Sequence, residues 1–260
     1  MLLHFHKYHG TGNDFILADN RENNYFLSQP QIQKLCERRF GIGADGLMLL
    51  NEKPGYDFEM KYYNADGNEG SMCGNGGRCM IKFVYQLGIH RELYKFLAAD
   101  GPHEAEIDID GIISLKMKDV RTIRKFHNDY IVDTGSPHYI KMATHVMDLD
   151  VYKKGHEIRH SKEFEDEGIN VNFVELTEEP DKIIVRTYER GVEDETLSCG
   201  TGVTAAALVC YHNENGFNEV EVKTLGGSLS VEFDKLDDNR YENIWLCGPA
   251  EKVFEGTVEI

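Results

Sequence analysis

Apolar residues come along this chain in short runs rather than long ones. FILAD, GLMLL, YIVDTG, NVNFVEL, IIVRTYE and SLSVEF are rich in β-branched or aromatic residues and bounded by Gly, Asn or Asp. That pattern predicts strands separated by tight turns. Helical patterning is scarcer. It is clearest in GNGGRCMIKFVYQLG, where Cys79, Phe83 and Leu87 share one face, and in the alanine-rich GTGVTAAALVCYHNENG, predicted to run as a helix to a stop at Gly216. Each of these helices starts directly after a cysteine, Cys73 or Cys199. The closing AEKVFEGTVEI alternates apolar and polar residues and predicts a strand returning to the first half of the chain.

The glycine-rich turns form two series. HGTGND, GIGADG and CGNGG are followed by DTGSPH, GINVNF and CGTG. Gly12 lies 61 positions before Cys73 (73 − 12) and Gly135 lies 64 before Cys199 (199 − 135). From Gly41 to Cys73 is 32 positions and from Gly168 to Cys199 is 31. A repeat of this length predicts two similar halves. The expected fold is α+β (α/β in the broad sense), with two pseudo-symmetric halves. Each is a curved, largely antiparallel sheet wrapped around a central helix, and the active site lies in the cleft between them. The boundaries fall at residues 1–118, with 249–260 returning to that half, and 119–248. The charged KDVRTIRKFHND serves as the linker.

Charge and cysteine content narrow the partners. Lys and Arg number 28 against 45 Asp and Glu, a net charge of −17. Nucleic acid and anionic membranes both call for a basic surface, so a small molecule is the expected partner. MLLHFHKYHG is broken by His4, His6 and Lys7, and no apolar run has the length of a membrane span. Six cysteines in 260 residues are too sparse for a disulfide framework, which predicts a cytoplasmic protein with reduced thiols.

A cysteine at a helix start meets unsatisfied N–H groups and a partial positive charge, both of which favour its thiolate. Glycine-rich first turns also let several N–H groups approach a carboxylate. Two such ends on one substrate could place a base on one face of an α-carbon and an acid on the other, inverting it without pyridoxal phosphate or any other cofactor. Taken singly, each cysteine reads as a small buried hydrophobe. A reversible Cys73–Cys199 bond on oxidation also stays open. Cys36, Cys79, Cys210 and Cys247 sit in apolar patterns and are assigned to the core.

Other candidate motifs carry less. HEIRH, His156 to His160, has the spacing of a zinc-protease pair, but that motif needs a helix, and this stretch is charged and poorly periodic, with no third ligand in view. No metal site is expected. His4, His6 and His9 read as strand and loop polar residues, and HGTGND lacks the spacing of a phosphate loop or dinucleotide fingerprint.

HGTGNDFILADN, RRFGIGADGLMLL, YYNADGNEGSMCGNGGRC, GSPH, GINVNFVEL and RTYERGVEDETLSCGTG resemble, in order and over nearly the whole chain, the blocks of the diaminopimelate epimerase family. The resemblance implies cofactor-independent interconversion of LL- and meso-diaminopimelate, for lysine and peptidoglycan synthesis, by a cytoplasmic homodimer. It implies that Cys73 and Cys199 are the acid/base pair, that Gly74, Asn75, Gly200 and Thr201 hold the α-carboxylate, and that His138 and Glu189 assist the thiols. It also implies that Asn13, Asn64, Asn170 and Arg190, with Glu189, bind the substrate's distal end. Two positions depart from the commonest pattern: Ser136 stands where asparagine is frequent, and Gly46 where some members carry glutamine. A proline or hydroxyproline racemase and a non-catalytic amino-acid-binding protein are the rival readings.

Overall fold

HGTGND folds as a two-residue hairpin turn. β1 (Leu2–Gly10) and β2 (Asn13–Asp19) pair antiparallel with Gly10 opposite Asn13, leaving Thr11 and Gly12 at φ 49° and 87° in the computed structural model. A two-residue hairpin with both central residues left-handed matches the twist of its strands. Gly12 adopts that backbone freely, whereas β-branched Thr11 is strained.

The structure describes residues 1–210 and 213–260. They divide into two compact units, Met1–Leu115 with Gly248–Ile260, and Lys116–Cys247. In the first, the chain crosses from β2 through α1 (Gln29–Cys36) to β3 (Gly46–Asn51), which lies parallel to β2. It returns antiparallel as β4 (Phe58–Asn64) and crosses through α2 (Gly74–Gln86) to β5 (Tyr94–Ala98), parallel to β4. An antiparallel meander, β6 (Gly101–Ile107) and β7 (Ile113–Lys116), follows.

The second unit opens with the hairpin β8 (Ile123–Phe126) and β9 (Asp129–Asp133), so a strand stands in the stretch expected to be a linker. Next come β10 (Pro137–Met142), α3 (Val151–Arg159), β11 (Asn170–Leu176) and β12 (Lys182–Glu189), with short β13 (Asp194–Thr196) folded back on β12. α4 (Gly200–Leu208), β14 (Gly216–Thr224), β15 (Gly227–Asp237) and β16 (Arg240–Gly248) complete it. β17 (Glu251–Glu259) then pairs antiparallel with β1.

From β9 to β16 the pairing repeats the succession from β1 to β7. Both run antiparallel, parallel across a helix, antiparallel, parallel across a second helix, then antiparallel twice. Each sheet curls around its second helix. α2 touches β17, β1, β2 and β3 toward one edge of its sheet and β6 toward the other, and α4 touches β10, β11, β12, β14 and β15. α4 is apolar nearly all round, as a helix enclosed on every side should be. Phe83 of α2 and Val203 of α4 are fully buried, and each such side chain stabilises the fold by about 1.5–3 kcal/mol.

Three local expectations change. α4 stops at Leu208, while Gly216 opens β14; the part of the expected helix at Tyr211 and His212 lies outside the described residues. Asn213 ends the helix by donating its side-chain amide to the carbonyls of Ala207 and Leu208 at 2.9 and 3.1 Å, which satisfies acceptors that another turn would have used. HEIRH is largely helical as part of α3. Asp150 caps that helix by accepting from Lys153 N–H, and Gly155 sits inside it because a Cβ would come within 2.3 Å of Tyr188. α1 adds a helix the periodicity did not single out, opened by Pro30 and by the Gln31 side chain accepting from Ser28 N–H at 2.9 Å. No helix among the described residues is long and apolar enough to cross a membrane.

Candidate active site

Each unit sets one cysteine at the N-cap of its central helix. Cys73 precedes α2 with φ −103° and ψ 130°, and Cys199 precedes α4 with φ −112° and ψ 110°. Their carbonyls accept the first intrahelical bonds, from Gly77 and Val203 N–H at 2.7 and 2.8 Å. Gly74 and Asn75, and Gly200 and Thr201, form the first turns of these helices, and the start of a helix suits an anion.

In the first unit the hairpin turn brings Asn13 to the start of α2. Asn13 Oδ1 lies 3.6 Å from Cys73 Sγ and 3.3 Å from Asn75 Nδ2. The amide is turned this way because its Nδ2 donates to Asp45 at 2.6 Å. Asp45 in turn accepts from Arg38, which also bridges Asp14, and Lys7 donates to Asp14 at 2.6 Å. Burial alone would raise the Asp14 carboxyl, but bonds from Arg38 and Lys7 outweigh it and hold Asp14 far below the usual carboxylate range. Behind Asn75, buried Arg78 donates to Asn75 Oδ1 at 2.9 Å and to strained Thr11 at 3.3 Å. Asn64 is exposed at the end of β4, where its backbone closes a tight turn with Gly67 and Asn68. It pairs in register with Gly46. A Cβ on Gly46 would come within 2.5 Å of both the Tyr62 ring and the Tyr63 carbonyl, so Tyr62 takes the space a longer residue at 46 would need.

In the second unit His138 is fully buried beneath Cys199 and Thr201. Its Nε2 lies 2.9 Å from Thr201 Oγ1 and 2.9 Å from Ser136 Oγ, and Thr201 Oγ1 lies 3.5 Å from Cys199 Sγ. Asn172 Nδ2 lies 3.1 Å from His138 Nδ1. Burial, with the Arg190 charge adding to it, pushes His138 down to about 3, so the ring is neutral at working pH. Asn170 is engaged by its own unit: Oδ1 accepts from Arg190 N–H at 2.9 Å, and Nδ2 donates to Pro137 C=O and Ser136 Oγ at 3.1 and 3.3 Å. Glu189, at the end of β12, accepts from Thr196 at 2.8 Å, and Arg190 Nη1 donates to Glu167 C=O at 3.0 Å.

The first unit thus gathers Cys73, Gly74, Asn75 and Asn13, with Asn64 apart at the end of β4. The second gathers Cys199, Gly200, Thr201 and His138; Asn170 adjoins them through Ser136, the Arg190 charge acts on His138, and Glu189 is bonded to Thr196. Asp45, Arg78, Asn172 and Thr187, whose hydroxyl donates to Asn172 Oδ1 at 2.9 Å, belong to the same networks and were not singled out from sequence. A signal existed for Asn172, since it stands two positions from Asn170 on one strand and therefore shares its face.

Cys36, Cys79, Cys210 and Cys247 are buried, and burial pushes the Cys36 and Cys210 thiols up to about 12. His6 pairs with Glu255, and His9 accepts from Gly12 N–H while its other nitrogen faces Glu251. His4 is exposed. His156 and His160 stack 4.2 Å apart and His160 faces Glu193, but no cluster of three or more metal-ligating side chains occurs among the described residues.

Gly202 tests how tightly α4 is seated. A Cβ there would lie 2.3 Å from Asn172 Oδ1 and 3.3 Å from His138 Cε1. Gly202→Ala is therefore expected to destabilise the protein by about 1–3 kcal/mol in urea unfolding, through overpacking rather than lost helix propensity.

By fold the chain is of the PhzF and proline racemase type. It is similar to a phenazine biosynthesis protein of the PhzF family from Bacillus anthracis, with a TM-score of 0.72 and 17% identity over all of both chains. It is also similar to a probable proline racemase from Agrobacterium radiobacter K84, with a TM-score of 0.68 and 13% identity over 99% of this chain and 92% of that one. At sequence level the match is closer and different. The diaminopimelate epimerase family model matches residues 5–123 and 130–253, and the chain belongs to that family. It is 47% identical over 255 residues to the diaminopimelate epimerase of Flavobacterium psychrophilum, covering 97% of this chain and 99% of the relative. Against the corresponding protein of Chlorobaculum tepidum it is 44% identical over 261 residues, covering 96% and 99%.

Proposed function

We propose that this protein is an isomerase that interconverts LL- and meso-diaminopimelate, with Cys73 and Cys199 as its two proton-transfer groups. One thiolate takes the α-proton, and the opposite thiol returns a proton to the other face. The S–H bond formed at one cysteine is matched by the one broken at the other, and the reverse reaction exchanges their roles. Carbanion charge spreads into the α-carboxylate, which the first N–H groups of α2 and α4 hold through Gly74, Asn75, Gly200 and Thr201. Every step uses the chain's own groups. The observation that carries this reading is the repeated placement of a cysteine at the start of each unit's central helix, in a chain of this family.

Asn13, Asn64, Asn170, Glu189 and Arg190 are assigned to the distal amino-acid end, and His138 and Glu189 to assistance of the thiols. Asn13 also orders the Cys73 side, and Asn170 acts partly by holding Ser136 and the backbone at Arg190. The two halves expected from the sequence, residues 1–118 with 249–260 and 119–248, each supply one of the two proton-transfer cysteines. A cytoplasmic homodimer is the assembly this reading favours, supported by the family resemblance and the sparse cysteines.

The direct test follows the α-proton by NMR while the protein acts on LL-diaminopimelate in D₂O. Washout of the α-proton with growth of the meso isomer is expected. Retention of the proton and no meso product would remove the assignment, and robust turnover of proline in its place would move it to the rival racemase class.

A further inference from the structure

We infer that Asn172 is a positioning residue: it holds His138 as a neutral Nε2–H donor and so leaves the Thr201 hydroxyl proton directed at the Cys199 sulfur. This rests on Cys199 being a working thiol and adds how its charge is held.

The chain of reasoning starts from a group that can only accept. Tyr139 C=O lies 3.3 Å from Asn172 Nδ2, and the same nitrogen lies 3.1 Å from His138 Nδ1. Turning the Asn172 amide over would set its oxygen against the Tyr139 carbonyl. It would also remove the acceptor that Thr187 O–H uses, Asn172 Oδ1 at 2.9 Å. The register of β11 and β12, with Asn172 opposite Thr187, supports the observed orientation. Both Nδ2 protons are thereby committed, one to Tyr139 and one to His138. Nδ1 must then accept, and the ring proton sits on Nε2.

Nε2 faces the hydroxyls of Ser136 and Thr201, each at 2.9 Å. Ser136 already accepts from Asn170 Nδ2 at 3.3 Å and lies 3.2 Å from Thr201 Oγ1. Thr201 thus receives protons from the ring and from Ser136, and its own is left for Cys199 Sγ at 3.5 Å. From Thr187 through Asn172, His138 and Thr201 every donor points the same way, and the series ends on sulfur. Aligned bonds of this kind polarise one another, and donation to sulfur favours the thiolate. On the Cys73 side the sulfur faces Asn13 Oδ1, an acceptor, at 3.6 Å.

The ionisable groups on the elements around the series include His138 itself, Asp133, which accepts from Gly135 N–H at 2.8 Å beside Ser136, Glu189 held by Thr196, and Arg190. α4, residues Asn170–Val174 of β11 and the 224–227 turn that bonds Leu197 carry none. The Arg190 charge and burial both oppose a second proton on His138, so the ring acts as a donor and takes no proton from the thiol.

The test uses the intact protein without substrate. Iodoacetamide labelling of Cys199 and Cys73 is followed separately by mass spectrometry across pH. In Asn172→Ala the labelling midpoint of Cys199 is expected to rise by about one pH unit, while that of Cys73 stays put. An unmoved Cys199 midpoint in a folded Asn172→Ala protein overturns the inference. The wild type supplies an independent reading should the variant not fold. Nitrogen-15 NMR should show His138 as a neutral Nε2–H ring between about pH 5 and 8. A ring that carries its proton on Nδ1, or that titrates in that range, overturns it equally. Neither measurement involves diaminopimelate, so failure here is distinct from failure of the substrate assignment.

Discussion

Replacing either Cys73 or Cys199 by alanine is expected to lower epimerisation by ~10³-fold or more, with the protein still folded. Inversion needs an acid and a base in the same turnover, and a positioned proton-transfer group contributes about 10²–10⁴-fold. Losing one leaves no partner on that face, so the second cysteine cannot compensate. Folding should survive because neither side chain makes a capping bond to its helix. The buried apolar face of α2 and the enclosed surface of α4 hold those helices in place instead. Turnover is read by the α-proton assay and folding by circular dichroism. A single alanine variant working near the wild-type rate would rule out the two-base mechanism.

Arg190→Ala should have the next largest effect. Its backbone N–H is tied to Asn170, its Nη1 to Glu167 C=O, and its side chain lies over Gly168, where a Cβ would come within 2.8 Å of Arg190 Cδ. A guanidinium restrained in this way has lost much of its freedom before any ligand arrives, which suits it to a planar carboxylate. Removing one partner of such a pair costs about 2–5 kcal/mol, or roughly 30-fold to several thousand-fold in kcat/KM for diaminopimelate. Cys73 and Cys199 should remain open to alkylation, separating lost recognition from lost chemistry. An Arg190→Ala variant with unchanged kcat/KM would take Arg190 out of the distal-end set.

The two departures from the family pattern acquire a physical setting here. Ser136 is short, but its hydroxyl contacts both the Thr201 hydroxyl and the His138 ring nitrogen and is held by Asn170. Gly46 is required where it stands, because the Tyr62 ring and the Tyr63 carbonyl leave no room for a Cβ. Neither relation can be read from the residue alone, since each depends on what a neighbouring element brings to the same place.

What the sequence determined by itself was whatever neighbours in the chain decide among themselves. Short β-rich runs became strands because alternation and turn residues act over a few positions. The glycine-rich turn at HGTGND and the helix start after each cysteine were legible for the same reason. The doubled series of glycine turns was legible as well, and the pairing order repeats with it. Tertiary structure alone decided the end of α4, which depends on Asn213 reaching back to two carbonyls, and the helicity of HEIRH, which lets Gly155 sit against Tyr188. It also decided which amides serve which sulfur. Asp45 orients Asn13 from 32 positions away, and Asn172 reaches His138 across 34. Partners that far apart are chosen by strand register and crossover, and a shift of one residue would turn Asn172 to the opposite face. No local pattern encodes that choice, because its free energy resides in contacts that exist only once the sheets have formed.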